Sequence, residues 1–176
     1  MVEAFRLLGC GPTLLDVAPT RDHRTLYVAV IGPGPEATDQ DCDAARDIGR
    51  RLAELGHLVV TGGLGGVMEA ASAGAQAAGG CTIGLLPGYD REAGNAFLSV
   101  ALPTGLGELR NGLVVRCSDV VICVGGSWGT LSEVSLAMRT GVPVIALDGG
   151  WSLPAAGAIR ASTPDEAVQR AVSALA

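Results

Sequence analysis

The chain has 176 residues, of which 48% are apolar, 17% charged and 3% aromatic, with 26 glycines. Apolar content of that order over about one domain's length supports a core and excludes disorder, while glycines without a three-residue period exclude collagen. Twelve basic residues against eighteen acidic ones leave a net charge of −6, which argues against a nucleic-acid or anionic-membrane surface.

All twelve basic residues are arginines. The absence of lysine removes Schiff-base, Walker A and covalently anchored pyridoxal-phosphate chemistry.

In chain order, residues 1–25 read as an irregular N-terminal extension and 26–176 as a single Rossmann-like domain. Leu26–Ile31 is expected to be a buried strand ending at the turn Gly32-Pro-Gly-Pro35. From Asp39 to Leu55 apolar residues recur at helical spacing until Gly56. His57–Thr61 is a second strand running into Gly62-Gly-Leu-Gly-Gly66, and an Ala-rich helix follows to about Ala78. Cys81–Leu86 is a third strand. A polar loop and an apolar run at Ala96–Leu102 lead to a helix over about 106–117. Asp119–Val124 is a strand, Gly125-Gly-Ser-Trp-Gly129 a loop, and Thr130–Arg139 a helix. Val142–Leu147 is a strand, Gly149–Gly157 a loop, and Pro164–Leu175 a closing helix. Continuous Val/Ile/Leu strands alternating with helices predict an α/β fold, its mainly parallel sheet covered on both faces.

Five cysteines without a C-x-x-C pair, most of them in apolar runs, read as buried reduced thiols. Two isolated histidines make no metal site. With no charged leader ahead of an apolar segment and no run of membrane-spanning length, a cytoplasmic soluble protein is expected.

The three glycine loops at 32–34, 62–66 and 125–129 each follow a strand, so right-handed crossovers bring them to one sheet edge. Glycine lets backbone approach a ligand, and a helix starting there aims N–H groups and dipole at it, which suits phosphate. An NAD site is disfavoured: Gly32-Pro-Gly-Pro-Glu-Ala37 fits G-x-G-x-x-A only loosely, and Thr61 stands where a ribose-binding acid is expected. The polar candidates are Glu133, Arg110 and Asn111. Thr130-Leu-Ser-Glu133 is equally a capping box, with Glu133 serving the helix start, and Arg110 is equally a surface arginine. Met68 would close a pocket or pack its helix. Trp128 would stack on a base or pterin or meet another subunit, and Trp151 would cover a pocket or an interface.

Gly125-Gly-Ser-Trp-Gly-Thr-Leu-Ser-Glu133 resembles the P-G-G-x-G-T-x-x-E motif of the Lonely Guy (LOG) family. Thr61-Gly-Gly-Leu-Gly-Gly-Val-Met68 is similar to the family's first glycine loop, and Arg110 falls where it carries its functional arginine. The resemblance implies a homodimer or homotetramer that takes a nucleoside 5′-monophosphate or another phosphorylated small molecule, with no cofactor. It assigns Glu133 as catalytic carboxylate and Arg110 as its partner at the phosphate. Gly126, Gly129 and Thr130 would hold that phosphate, with Gly32, Gly62, Gly63, Gly66, Met68, Asn111, Gly125, Ser127 and Trp128 completing the site. The implied reaction is phosphoribohydrolysis, cleaving the N-glycosidic bond to free base and ribose 5-phosphate. Gly125 in place of Pro, Ser127 in place of Gly, and Asn111 in place of Lys look more like a sister branch. That branch includes the molybdenum cofactor carrier proteins, which bind a pterin phosphate without turnover. Hydrolysis is therefore the expected function, with a non-catalytic nucleotide- or molybdenum-cofactor-binding carrier as the alternative.

Overall fold

The computed structural model describes residues 24–150 and 157–175. Strand β1 (Tyr27–Ile31) occupies the middle of the sheet because Val28–Ile31 bury both faces. It pairs in parallel with β2 (Leu58–Thr61) on one side and β5 (Val120–Cys123) on the other. The remaining strands are β3 (Thr82–Leu86), β4 (Val100–Pro103), β6 (Val144–Leu147) and β7 (Ile159–Ala161), in the order β4-β3-β2-β1-β5-β6-β7 with every ladder parallel. The chain steps to one side of β1 and then crosses to β5, so the loops after β1 and β5 part at a switch point where such sheets bind ligands.

Helices α1 (Asp39–Glu54), α2 (Val67–Ala77) and α5 (Pro164–Ser173) cover one face, burying Ala45, Ile48, Leu52, Ala71 and Val168 against Val28, Val30 and Ile122. Thr38 and Asp41 close the N-terminus of α1 reciprocally, each backbone N–H donating to the other's side chain. A Cβ on Gly49 or Gly74 would strike the backbone of Ala71 or Arg46, so α1 and α2 cross at glycine distance. Helices α3 (Asn111–Arg116) and α4 (Trp128–Thr140) cover the other face, where Val114, Val115, Val134 and Ala137 pack on Ala29, Ile31 and Val121.

Several expectations need correction. The helix expected over 106–117 is a 3-10 turn, Gly107–Arg110, followed by the short α3. The positive φ of Gly105 and Gly107 keeps that entry irregular. The apolar run ends in a strand, β4, and a further strand, β7, precedes the last helix. Cys123 is buried and Cys42 half-buried, but Cys81 and Cys117 sit at element boundaries and are exposed. All four are free thiols. His57 is buried, its Nδ1 accepting the backbone N–H of Leu26 at 3.3 Å. Residues 1–23 of the expected extension, and Trp151, lie outside the described residues. No helix among the described residues is long and apolar enough to cross a membrane.

Candidate functional site

The loops after β1 and β2 lock together. Gly66, the N-cap of α2, has φ +66°, and a Cβ there would overlap the Gly34 carbonyl. Val67 N–H donates to Pro33 O at 3.0 Å. Asn95, from the β3–β4 connection, braces the same loop by donating its backbone N–H to Gly63 O (2.9 Å) and its amide to Leu64 O (3.0 Å). Thr61, in the place of a ribose-binding acid, turns its hydroxyl onto Gly63 N–H at 3.1 Å. Gly66 brings no side chain to cap α2; past Val67, whose N–H goes to Pro33 O, the N–H groups of Met68 and Glu69 have no side-chain cap.

Helix α4 begins two residues earlier than expected, and this removes the capping role of Glu133. Ser127 is the N-cap, its Oγ accepting from Thr130 N–H at 3.2 Å. Thr130 is thus the third helical residue, and the Thr130–Glu133 capping box is not formed. Glu133 instead falls on the inward stripe with Thr130, Val134 and Ala137, the spacing that faces a core. It is a buried carboxyl where a core residue would ordinarily stand.

Arg110 is not a surface arginine. The 3-10 turn carries its side chain inward over Gly62, so closely that a Cβ on Gly62 would overlap the guanidinium. Its Nη1 donates to Asn111 Oδ1 at 2.8 Å and stands 3.9 Å from Glu133 Oε1, beyond hydrogen-bond reach. Both side chains are 8% exposed. Arg110 Nε is the one buried side-chain polar atom without a partner among the described residues. A buried donor left unpaired is costly, which makes it an address for a ligand oxygen.

Arg110, Glu133, Gly32, Gly62, Met68, Ser127, Gly129 and Thr130 line one cleft of ≈ 200 Å³, with Val30, Ile31, Gly34 and Pro35. Of the loop 32–34 that the sequence points to, only Gly32 was assigned to the site; Gly34 joins it in the lining, and Pro35 and the brace from Asn95 were not foreseen. Asn111 stands behind Arg110. Gly63 and Gly66 shape the loop from outside the lining. Gly125 and Gly126 line a separate cleft of ≈ 350 Å³ with Glu36, Asp41 and Asp148. Trp128, 78% exposed, lies outside both linings.

Burial dominates the electrostatics. It pushes the Glu133 carboxyl up to about 7 against the opposing pull of Arg110. It also lowers the proton affinity of Arg110 against the opposing effect of Glu133. Cys123, beneath Glu133 on β5, is driven to about 12, first by burial and then by Glu133. The site therefore combines one buried cation, one acid that titrates near neutrality and the N-termini of α2 and α4. Such a set recognises a small anion. At ≈ 200 Å³ the cleft is below the range of drug-sized sites, about 300–1,000 Å³.

A Rossmann-like sheet with a small cleft at the strand C-termini defines the class as an α/β protein. More narrowly, the chain belongs to the SLOG cluster4 family, whose model matches residues 25–174. The expected kinship with the LOG-like Rossmann group is thereby shown. It is similar to the molybdenum cofactor binding protein of Rippkaea orientalis, with 37% identity, coverage of 87% of this chain and 99% of that one, and a TM-score of 0.82. The molybdenum cofactor carrier protein of Chlamydomonas reinhardtii is similar at 33% identity, with 86% and 99% coverage and a TM-score of 0.79. An uncharacterized protein of Archaeoglobus fulgidus is 36% identical over 150 residues, 85% of this chain and 97% of that relative.

Proposed function

We propose that this protein holds a phosphorylated small molecule in the Arg110–Glu133 cleft and carries it without turnover, the cargo being a pterin phosphate of the molybdenum cofactor kind. The observation that carries the anion site is the unpartnered Nε of buried Arg110, beside Glu133 in one cleft. The likeness to molybdenum cofactor binding and carrier proteins supports the carrier reading. Phosphoribohydrolysis of a nucleoside monophosphate is the second reading, favoured by Arg110 and Glu133 lining one cleft.

One experiment separates the two. The protein is incubated with AMP, GMP, CMP and cytokinin monophosphates while free base is followed by chromatography, with Glu133→Ala as control. In parallel, molybdenum cofactor is passed with the protein through gel filtration. A carrier releases no base and retains the cofactor, and Arg110→Ala loses it. Base release that vanishes in Glu133→Ala establishes the hydrolase instead.

The implied homo-oligomer has a natural surface on the α3 side of the sheet. Edge strand β4 exposes Val100 and Leu102, and Leu106, Leu109 and Leu113 follow at helical spacing, Leu109 being 80% exposed. A second copy of this chain fits a strand edge left unpaired among the described residues, beside a leucine row. Leu109→Glu is expected to lower the mass found by sedimentation; an unchanged mass would place the contact elsewhere.

A further inference from the structure

The following rests on the reading of the cleft as a phosphate site. Arg110 and Glu133 lie side by side in it without a hydrogen bond, Nη1 to Oε1 being 3.9 Å, while Nη1 donates to Asn111 Oδ1. Nε is unpartnered, and both side chains are more than nine-tenths buried. An ionised Glu133 would place an acceptor-only group against an incoming phosphate, whereas the acid form offers an O–H donor.

The surroundings do not favour the ion. Arg110, from the 3-10 turn, is the facing cation. Cys123 from β5 stays a neutral thiol, and burial outweighs the pull of Arg110 on Glu133.

We infer that an anionic ligand enters this cleft together with one proton, so that Glu133 meets a phosphate oxygen as a hydrogen-bond donor while Asn111 holds Arg110 free to grip the same phosphate. The proton comes from bulk water on binding and returns to it on release; no covalent bond forms or breaks. Asn111 is thus a positioning residue, acting through Arg110. The near-neutral titration of Glu133 keeps that proton uptake cheap.

The test is calorimetric titration of the full chain with AMP and with inorganic sulfate between about pH 7 and 9, a window in which neither probe changes charge appreciably, the second phosphate ionisation lying near 6. Affinity for both is expected to fall, approaching about tenfold per pH unit, with about one proton taken up per ligand near pH 8 when buffers of different ionisation heat are compared. Glu133→Gln, which retains a donor, is expected to bind without that slope. Asn111→Ala releases Arg110 towards Glu133 and is expected to move the fall to lower pH, a shift that a merely structural role would not produce. Binding of constant affinity across the window, or with no proton uptake, overturns this inference and leaves the phosphate site standing. Failure of both probes to bind at any pH overturns the two together.

Discussion

The two faces of the sheet divide stability from recognition. On the α1–α2–α5 face the buried helix side chains are apolar apart from Ser72, whose hydroxyl donates to Met68 O, the helices cross at glycine distance, and charge is confined to the outside. There Arg50 and Arg51 pair with Asp47, Glu54 and Asp165. Such exposed pairs contribute little, about 0–1 kcal/mol each, so this face is held by its core. The α3–α4 face is shorter and less regular. It buries an arginine and a carboxyl that do not satisfy each other and leaves leucines outside. That buried pair costs stability, and it stands in the cleft proposed to take a ligand.

The sharpest way to break this contrast is to damage the covered face and look for a functional effect. Ile48→Ala, at a fully buried position among Ala45, Leu52 and Ala71, is expected to cost about 2–5 kcal/mol in denaturant unfolding. Ligand affinity of the folded fraction should not change. A marked loss of affinity would show that the faces are not separable.

On the opposite face the expected effect is smaller and depends on pH. Burial raises Glu133 from 4.5 to about 7 in the folded chain, so the native state holds a proton that the unfolded state has lost. Stability therefore falls as pH rises from about 4.5 to about 7 and levels off above. Glu133→Gln should flatten that contribution and stabilise the protein at pH 8. A variant no more stable than wild type there would mean that Glu133 is ionised at little cost.

Smaller still is the cap of α4. Ser127→Ala should cost about 0.5–2 kcal/mol, whereas Thr130→Val, at the residue expected from sequence to be the cap, should spare the helix start. The reverse ranking would reinstate the capping box.

The strands were legible because both faces of the sheet are covered, so Val28–Ile31 and Val120–Cys123 read as unbroken apolar runs. Strand β7 was not, since Ile-Arg-Ala is three residues long and holds one exposed arginine at the sheet edge. At the site, the glycine loops announced themselves, and motif spacing paired Arg110 with Glu133. The role of Glu133 was ambiguous because Ser127 and Thr130 are both good caps, three residues apart, and only the helix start distinguishes them. A pattern clue was available: Glu133, Val134 and Ala137 share one helical stripe, which places a carboxyl among core positions. The inward course of Arg110 had no local signal, because it depends on a 3-10 turn and on Gly62 leaving room from a different strand.

The most direct test of the central claim, a buried arginine awaiting a phosphate, compares AMP with adenosine as protectants against thermal unfolding in wild type and Arg110→Ala. A ligand at free concentration L that binds only the native state stabilises it by RT ln(1 + L/Kd), so at equal concentration the tighter ligand raises the midpoint more. The account predicts that AMP raises the wild-type midpoint, that adenosine does so far less, and that Arg110→Ala loses the difference. Equal protection by both ligands, or an AMP effect undiminished in Arg110→Ala, would contradict it.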